Sequence, residues 1–467
     1  MIAKRLHTLV AALLVCATAA AQHPAAYFME GSTLRSRLNP ALAPQRGYFD
    51  IPALGGVDAA VNTDVALDRL LFTRGGRLVT LLDREVSAAD ALAGLSADNR
   101  VGGDVRLSLL SFGSYARNGK SFWSVDINVR ASGEVNLPRS LVEFAKRGDD
   151  GAIRNLSAAA ESWVDAGFAY SFPLLDERLY LGFRAKAVAG GARARLDFDR
   201  LDVALHEERW SVDAQGTLDA HIPGAAVEYR TDEAGDRYFE PSDISVDGFR
   251  PAGYGMALDL GVACDILPDL KASLAVTDLG FIVWNARSAV QGTAAARLEY
   301  TGVEIAGGQG ASSPDFDLDD LMRFAPAEAR SEARMMHADL RAGLEYRLWR
   351  RRVSLGLLYE SRFRAMTTLH ALTASVNYTP VGWFTLGCGY TQGSTGGSLG
   401  LALNLCPGWI NLFVATDLLT ARLSPQFFPV RQRTARVTLG LGIPMGRSGR
   451  RHVAAWLPYD RRLAADR

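Results

Sequence analysis

Residue types that could carry out chemistry are sparse in this sequence. Its 7 histidines are dispersed, and its Gly-x-Gly occurrences lie in alternating stretches that no helix signal follows. Phosphate-binding loops and paired metal-ligand motifs are therefore not indicated. We expect no catalytic site, no cofactor and no enzymatic activity.

One acidic run could bind a cation. The stretch SPDFDLDDLMRF offers carboxylate oxygens of the kind that calcium prefers. These carboxylates belong to Asp315, Asp317, Asp319 and Asp320. The run lacks the glycine and the final glutamate of an EF-hand loop, so a solvated loop or a helix start is favoured and no metal is expected.

A proline-rich stretch near the start of the chain also needs a special environment. STLRSRLNPALAPQRGYFDIPALGGV, residues 32–57, contains Pro40, Pro44 and Pro52. Each of these prolines lacks a backbone donor, so the stretch cannot lie within a central sheet ladder. The elements that surround it must be inferred from the rest of the chain.

The first residues predict export from the cytoplasm. MIAKRLHTLVAALLVCATAAAQ has basic residues, then an apolar run, then small residues, which is the layout of a cleavable signal peptide over residues 1–21. A lipid anchor at Cys16 is the weaker alternative, because the residue before it is not small. The remaining cysteines, Cys264, Cys388 and Cys406, indicate neither a disulfide framework nor a metal site.

Composition narrows the class of protein further. With 51 Lys and Arg against 51 Asp and Glu, the chain has no net charge that would favour nucleic-acid binding. No apolar run reaches the about 20 residues of a transmembrane helix. The 45 glycines and few cysteines fit an exported all-β chain.

Alternation with a period of two residues is the strongest signal. In YGMALDLGVACDI, residues 254–266, one set of alternate positions is bulky and apolar and the other is small or acidic. The same alternation recurs at 270–276, 341–348, 372–378, 399–405 and 436–443. These stretches predict β-strands, many of them longer than the about 5 or 6 residues usual in soluble proteins.

Two architectures could use such strands. A soluble sandwich or propeller would bury the bulky face, whereas a membrane barrel would turn it to lipid. The strand lengths match the about 9–11 residues of a tilted membrane-spanning strand, and the connections after Tyr254 alternate between short and long. Because lipid tolerates no unpaired sheet edge, we predict a single closed antiparallel transmembrane β-barrel of about 14 strands, within 12 to 16, with a few short helices.

This architecture assigns each segment of the chain a role and each face of a strand to lipid or lumen. We predict a signal peptide at 1–21, a hatch-like segment at 22–56, the barrel at 57–445 and a basic periplasmic tail at 446–467. Short helices are expected at Leu78 to Leu95 and at Leu137 to Arg147. The lipid face should carry Leu258, Leu260, Leu344, Leu401 and Leu439. The lumen should be faced by Asp259, Arg341, Glu345, Asn377 and Asn404.

The proline-rich stretch can lie inside the lumen of such a barrel. Irregular backbone is tolerated inside a lumen, where it is shielded from lipid. Arg35, Arg37 and Arg46 would be costly against lipid but could pair there with inward carboxylates such as Asp259 or Glu345. We therefore expect residues from about 27 to 53 to fold back into the barrel mouth on the periplasmic side as a gate, with Asn39 and Pro40 making the turn.

Several stretches carry a family resemblance. YFMEGSTLRSRLNPALAPQRGYFDIPALGGV, GGDVRLSLLSFG and LPRSLVEFAKRG resemble an uncharacterised, domain-of-unknown-function family of Bacteroidetes outer-membrane proteins. LNPAL is distantly similar to the Asn-Pro-Ala segment of long-chain fatty-acid transporter barrels, in which the amino terminus forms a hatch. Only Asn39, Pro40 and Ala41 match that segment, and a plain Asx-Pro turn is an equal alternative. The resemblance implies a place in the bacterial outer membrane.

Three classes of function remain open. The first is a passive channel or transporter for a small hydrophobic solute, gated by the amino-terminal segment. The second is a non-transporting scaffold or secretion-associated barrel that binds a periplasmic or secreted protein, and a barrel enzyme is the third and least favoured. An apolar lumen cavity would favour the first class and a filled lumen the second. The expected partners are outer-membrane lipid and the barrel-assembly machinery, without nucleic acid.

Overall fold

The computed structural model describes most of the chain from residue 24 to residue 451. The described residues are 24–75, 77–147, 151–205, 209–232, 235–246, 248, 250–294, 297–301, 323–417, 422–423, 429–430 and 433–451. The expected signal peptide, the acidic run at 315–320 and tail residues 452–467 lie outside them.

Strands dominate the described residues. In chain order they are β1 (Gly47–Asp50), β2 (Val57–Thr63), β3 (Leu71–Arg74), β4 (Arg77–Thr80), β5 (Asp98–Tyr115), β6 (Phe122–Pro138), β7 (Gly151–Leu174), β8 (Leu179–Leu205), β9 (Arg209–His221), β10 (Ala225–Val227), β11 (Arg230–Thr231), β12 (Arg237–Tyr238), β13 (Ile244–Val246), β14 (Gly253–Leu267), β15 (Leu270–Trp284), β16 (Ala289–Ala294), β17 (Arg297–Thr301), β18 (Ala325–Pro326), β19 (Glu332–Met335), β20 (Asp339–Leu348), β21 (Val353–Phe363), β22 (Thr368–Val381), β23 (Phe384–Gly393), β24 (Gly396–Leu405), β25 (Asn411–Thr416), β26 (Arg422–Leu423), β27 (Pro429–Val430) and β28 (Thr434–Met445). The α-helices are α1 (Arg35–Leu38), α2 (Ala88–Leu92) and α3 (Arg139–Arg147). Turns of 3₁₀-helix lie at Pro24–Phe28, Leu67–Arg69, Pro241–Asp243 and Ala286–Ser288.

The long strands close into a ring. Antiparallel pairing passes from β5 through β8 to β14, and from there to β28. β28 then pairs with both β1 and β2, which also pair with β5. With β1 and β2 counted as one strand, and β19 with β20 as another, the result is a closed 14-strand antiparallel barrel. The predicted fold class and strand number are confirmed.

The first barrel strand begins earlier than the sequence predicted. β1 starts at Gly47, inside the stretch assigned to the hatch, so the barrel does not begin at residue 57. The strand is interrupted between Asp50 and Val57. Pro52 lies in that interruption, where its missing backbone donor breaks no ladder pair.

Of the two predicted helices, one is present within its predicted range and the other forms over only part of its range. α3 lies within the predicted range that ends at Arg147. The prediction of a helix from Leu78 to Leu95 is wrong over its first half, where β4 pairs with β3. Only α2 is helical there, and the side chain of Ser87 caps it by accepting a hydrogen bond from the backbone N–H of Asp90 at 3.1 Å. The segment buries Leu81 and Leu92 together with Val142 of α3, so tertiary packing decides its form.

The outer surface of the barrel is apolar. Leu260 and Leu344 are 46% and 43% exposed, Leu258 and Leu401 are 36% exposed, and Leu439 is partly exposed. Trp349, Trp383 and Trp409 are exposed at the turns that join β20 to β21, β22 to β23 and β24 to β25. This arrangement is the one that a lipid-facing belt with an aromatic girdle requires. None of the described helices is long and apolar enough to cross a membrane.

One side of the barrel continues beyond the belt. β8 pairs with β14 up to Gly190, but from Arg193 onward it pairs with β9 instead. β9 in turn pairs with β16 and β17. We call this extension, made of the upper parts of β7 and β8 with β9 and β16 to β18, the crown. It has its own hydrophobic core, which includes Phe198, Phe239 and Phe324.

The lipid-facing assignment predicts an asymmetric response to a charged side chain. Leu401→Arg should impair assembly, because an arginine against lipid costs about 2–4 kcal/mol near the bilayer midplane. Ser132→Arg is the control, since Ser132 lies inside the barrel opposite Glu161, which could pair with the new charge. The measurement is the heat-modifiable, folded fraction of each variant. Equal folded fractions would contradict the membrane assignment.

Candidate functional site

The amino-terminal segment fills one end of the barrel. Residues 24–46, which we call the plug, lie at the end where short turns connect the strands. Its apolar side chains pack against inward residues of the wall such as Leu358 and Phe413. The fully or almost fully buried plug residues include Tyr27, Phe28, Met29, Leu34 and Leu38. The plug therefore has a hydrophobic core in common with the barrel.

Asn39 reverses the plug chain. Its side-chain oxygen accepts a hydrogen bond from the backbone N–H of Ala41 at 2.9 Å, which is an Asx turn. Its amide nitrogen donates to Tyr27 Oη at 2.9 Å and approaches the carbonyl oxygens of Val262 and Leu274 at 3.4 Å. Asn39 is fully buried. The Asx turn and the lumen location, which the sequence left as alternatives, are thus features of one structure.

Two glycines make room for this turn. Gly182 of β8 and Gly261 of β14 are direct cross-strand partners. A methyl group added at Gly182 would overlap the backbone of Pro40 and Ala41, and one added at Gly261 would overlap the Asn39 side chain and lie 2.9 Å from Pro40 Cδ. The pair forms a socket for the Asn-Pro-Ala turn that no larger residue could provide.

Other inward glycines receive the aromatic residues of the plug. A methyl group at Gly343 would lie 2.7 Å from Tyr27 Cε1, and one at Gly356 would lie 2.5 Å from Phe28 Cε2. Gly389 differs, because a methyl group there would meet only ordinary contacts at 3.4–3.5 Å. The small residues on the inner face therefore fit the shape of the plug where the plug touches the wall.

Arg37 holds the plug to the first barrel strand. Its Nη2 donates to Asp50 Oδ2 at 2.7 Å and to Ser108 Oγ at 3.1 Å, and both ends of the ion pair are almost fully buried. The predicted pairing of the plug arginines with Asp259 or Glu345 is wrong for Arg37. The reason is that Asp50, which the sequence placed in the hatch itself, belongs to β1.

The other two plug arginines differ in environment. Arg35 is 2% exposed, and burial lowers the pKa of its guanidinium, while the negative charges of Glu30 and Glu345 oppose that shift. Arg46 is near the surface and donates to the carbonyl oxygen of Gly446 at 2.6 Å. A second ion-pair tie comes from Arg347, which reaches Glu30 at 2.8 Å and Glu345 at 3.0 Å.

The start of the carboxy-terminal tail packs beneath the plug. The backbone N–H of Gly449 donates to the carbonyl oxygen of Gln45 at 3.0 Å. The guanidinium of Arg451 lies 5.4 Å from the ring centre of Tyr115 and 5.1 Å from that of Tyr180. The first residues of the predicted tail, 446–451, therefore pack against the plug and the barrel wall at the short-turn end.

A layer of buried charges fills the barrel above the plug. Lys186 Nζ lies 2.6 Å from Asp259 Oδ1 and 2.6 Å from Asp278 Oδ1. Arg130 joins Asp278 at 2.5 Å and Asp165 at 3.0 Å. On β20, which pairs with the β15 strand that carries Asp278, Arg341 joins Glu360 and Asp339. These side chains satisfy one another across the lumen, so the layer is a connected network.

The sequence-predicted lumen residues all lie inside the barrel. Asp259, Arg341, Glu345, Asn377 and Asn404 are each no more than 6% exposed. Asp259 and Arg341 belong to the charged layer, and Glu345 belongs to the second tie. Asn404 donates to Asn411 Oδ1 at 2.7 Å and packs against Gly31 of the plug. Their inward orientation follows from alternation, but their partners come from other strands.

A cup opens at the long-loop end. It has a volume of about 560 Å³, and its lining includes Arg100, Asp104, Glu134, Glu161, Arg193 and Arg364. The backbone N–H of Met366 donates to Glu134 Oε2 at 2.7 Å, and Asp104 pairs with Arg364 at 3.0 Å. Below the cup, small cavities among the described residues measure about 70, 40 and 30 Å³. The lumen is thus a polar cup above a filled interior.

An apolar groove lies on the outside of the same wall. It has a volume of about 470 Å³ and is bounded by the small outward residues of β5 to β8 and by Leu70, Leu81 and Leu141. Cup and groove share the wall at Gly102, Gly103 and Gly133. Gly103 and Gly133 are cross-strand partners, so the wall between the two spaces has no bulky side chain there.

One sequence pattern that could suggest a hydrolase does not have the required structure. Gly396-Gly397-Ser398-Leu399-Gly400 matches the Gly-x-Ser-x-Gly spacing. A nucleophile elbow requires a sharp turn from a strand into a helix. Ser398 instead lies within β24, is 3% exposed and pairs in register with Thr391.

Sequence reasoning missed several residues that position the plug. Asp50, Gly182 and Glu30 were not selected, although Asp50 and Gly182 contact the plug and Glu30 belongs to it. The alternation of small inner residues could have pointed to Gly261. Its pairing with Gly182 required the register between β8 and β14.

Fold and site together define a closed β-barrel of the transmembrane type whose own amino terminus plugs its lumen. The chain belongs to the family of unknown function DUF5723, whose model matches residues 40–417. The resemblance drawn from the sequence is therefore confirmed at the level of the family. Among curated proteins no significant match was found.

Solved barrel structures show a distant likeness. The Ralstonia pickettii toluene transporter TbuX is 11% identical, with 92% of this chain and 96% of that chain covered and a TM-score of 0.40. The Pseudomonas putida toluene transporter TodX is 9% identical, with 91% and 94% covered and a TM-score of 0.38. A Pseudomonas aeruginosa FadL homologue is 9% identical, with 91% and 94% covered and a TM-score of 0.37. The barrel architecture of this chain rests on the strand pairing described above.

Proposed function

We propose that this protein is a bacterial outer-membrane transporter for a small hydrophobic solute, closed at rest by its plug. The observation that carries the proposal is the glycine socket at Gly182 and Gly261. Because the plug is held by side-chain and turn contacts and pairs with no barrel strand, it can leave while the ladder stays intact. The proposed activity is passive, with no catalytic step.

The charge and volume distribution supports a gate at the periplasmic end. Short turns face the periplasm in bacterial outer-membrane barrels, so the plug closes that end and the cup opens to the outside. The cup of about 560 Å³ can admit a small solute but not a folded protein. A solute that enters it meets the charged layer and then the plug, so both must rearrange for passage.

The hydrophobic nature of the solute is inferred from the outer groove. Its lining is mostly aliphatic residues and glycine, with Glu161 and Arg193 as its charged members, and it adjoins the lipid-facing side of β5 to β8. An apolar molecule that partitions into the membrane could therefore collect beside the cup wall. The proposed partners are outer-membrane lipid, the assembly machinery that inserts the barrel, and this solute.

A second candidate function has a specific observation in its favour. A filled lumen was expected for a scaffold, and the interior below the cup is filled. The crown, with its own hydrophobic core, offers a folded surface outside the belt that could bind a secreted protein during export. In this case the plug would be a permanent structural part.

Removal of the plug separates the two functions. A variant lacking residues 24–44 keeps β1 intact, whereas a deletion that reached residue 50 would remove β1 from the ladder. In liposomes, this variant should release small solutes faster than the full-length protein, with apolar solutes favoured over sugars of equal size. A heat-modifiable, folded barrel that stays as impermeable as the full-length protein would favour the scaffold.

A further inference from the structure

A cluster of metal-ligand types lies in the crown, away from the plug. Asp219 and His221 are near the end of β9, and Glu332 begins β19. One ligand atom from each residue lies within 4.8 Å of the other two. The plug and the charged layer use none of these side chains, so the cluster needs a separate explanation.

The histidine is oriented as a ligand would be. Its side chain is fully buried, and Nδ1 lies 3.2 Å from the carbonyl oxygen of Asn285, to which it can donate. This contact leaves Nε2 as the acceptor of a neutral ring. Nε2 has no hydrogen-bond partner and faces Asp219 Oδ1 at 3.8 Å. Metal-binding histidines commonly donate their other ring N–H to a backbone carbonyl in this way.

Two acceptors that face each other need a positive group between them. Asp219 Oδ1 receives one hydrogen bond, from Gln291 Nε2 at 3.0 Å, and has a further lone pair available. The ring of His221 also stacks on Trp284, with centres 5.9 Å apart, which fixes its plane. The lone pair of Nε2 is therefore directed at the carboxylate, not at solvent.

Two arginines currently balance the carboxylates. Arg193 reaches Asp219 Oδ2 at 2.6 Å and Glu332 Oε2 at 3.9 Å, and Arg334 reaches Glu332 Oε1 at 2.5 Å and Asp219 Oδ2 at 3.9 Å. Arg334 is half exposed and can turn into solvent, whereas Arg193 is 11% exposed. Arg334 is thus the cation that an incoming metal ion would have to replace.

The geometry points to a zinc-binding site formed by His221 Nε2, Asp219 Oδ1 and a carboxylate oxygen of Glu332. One imidazole nitrogen with carboxylate oxygens suits zinc better than calcium or magnesium, which prefer oxygen ligands alone. Two ligands of one tetrahedral zinc ion are about 3.4 Å apart, so small side-chain rotations close the present spacing. Three protein ligands leave a fourth position open.

The bound ion would join two strands that do not pair directly with each other, although both belong to the same sheet. Among the described strands, β9 pairs with β8, β16 and β17, whereas β19 pairs with β15. An ion held by His221 and Glu332 would link the crown to the barrel wall beside the cup, where Arg193 and Arg334 lie. Zinc should therefore make the crown more resistant to local opening.

The test uses the full-length folded protein in detergent, titrated with zinc chloride against a chromophoric chelator. We expect one zinc ion per chain, and Glu332→Gln should weaken binding by about tenfold or more. Arg334→Ala should tighten binding, because it removes the competing cation. Glu328→Gln is the matched control, since Glu328 is 77% exposed and pairs only with Arg330 among the described ion pairs.

A second measurement follows the stability of the crown instead of the binding of the ion itself. Zinc should slow proteolysis of the crown in the parent protein and in Glu328→Gln, but not in Glu332→Gln. His221→Gln should abolish both effects, and if it fails to fold, the Glu332 and Arg334 variants carry the test. Absence of zinc binding, or binding that Glu332→Gln and Arg334→Ala leave unchanged, would overturn the proposal.

Discussion

A single methyl group at position 261 is expected to open the barrel. In Gly261→Ala the new carbon would overlap the Asn39 side chain and crowd Pro40, and in Gly182→Ala it would overlap the backbone of Pro40 and Ala41. A rigid turn cannot move aside as a flexible side chain can. Overpacking costs about 1–3 kcal/mol, which corresponds to an about 5–150-fold rise in the undocked population of the plug. Solute efflux from liposomes should increase accordingly.

Gly389→Ala provides the matched control for this experiment. Gly389 is also an inward glycine of a barrel strand, but an added methyl group there would meet only ordinary contacts. Solute efflux from liposomes that contain Gly389→Ala should equal the efflux from liposomes that contain the parent protein. If all three variants are folded and equally impermeable, the glycine socket does not keep the plug closed, and the gating proposal loses its main support.

Loss of the Arg37 charge is the second change with a large expected effect. Arg37→Met would leave Asp50 buried without its cation, and removal of one member of a buried pair costs about 3–5 kcal/mol. Asp50 would keep only the weak contact from Thr33 Oγ1 at 3.4 Å among its described side-chain hydrogen bonds. The plug should therefore undock, and hydrogen exchange of the amides of residues 27–42 should become faster.

Two further variants separate the ion pair from a general effect of lost charge. Arg46→Met removes the same residue type from a half-buried position of the plug near the surface, where the loss should be about 0–1 kcal/mol. The double variant Arg37→Met/Asp50→Asn removes the uncompensated charge. It should recover most of the protection of the plug amides against hydrogen exchange. Equal exchange in Arg37→Met and the parent protein would mean that the apolar plug contacts alone hold the segment.

Several independent contacts hold the plug in the barrel, so opening the barrel requires all of them to break. The turn at Asn39, the Arg37 pair and the Glu30 to Arg347 tie lie on different parts of the wall. A ligand that opens the barrel must bind the form with the plug undocked more tightly than the form with the plug docked. The difference in binding free energy must offset the free energy of all three contacts together. The tail residues that pack under Gln45 are one place where such a ligand could act.

The amino-acid sequence by itself determined the strands and their two faces. Alternation is a local property, because successive side chains point to opposite sides of a strand. Leu260 could thus be assigned to lipid and Asp259 to the lumen without knowledge of any neighbour. The proline argument holds for the plug, but it wrongly excluded Gly47–Asp50 from the ladder, because these residues lie between prolines and pair on both sides as β1.

Partners across the barrel were decided only by the tertiary structure. The register between β8 and β14 places Gly182 opposite Gly261, and the pairing of β1 with β5 and β28 turns Asp50 into the partner of Arg37. The cluster of Asp219, His221 and Glu332 likewise requires β9 and β19 to meet. The physical reason is that register and closure depend on contacts between residues far apart in the chain, whereas periodicity reports only which way each residue faces.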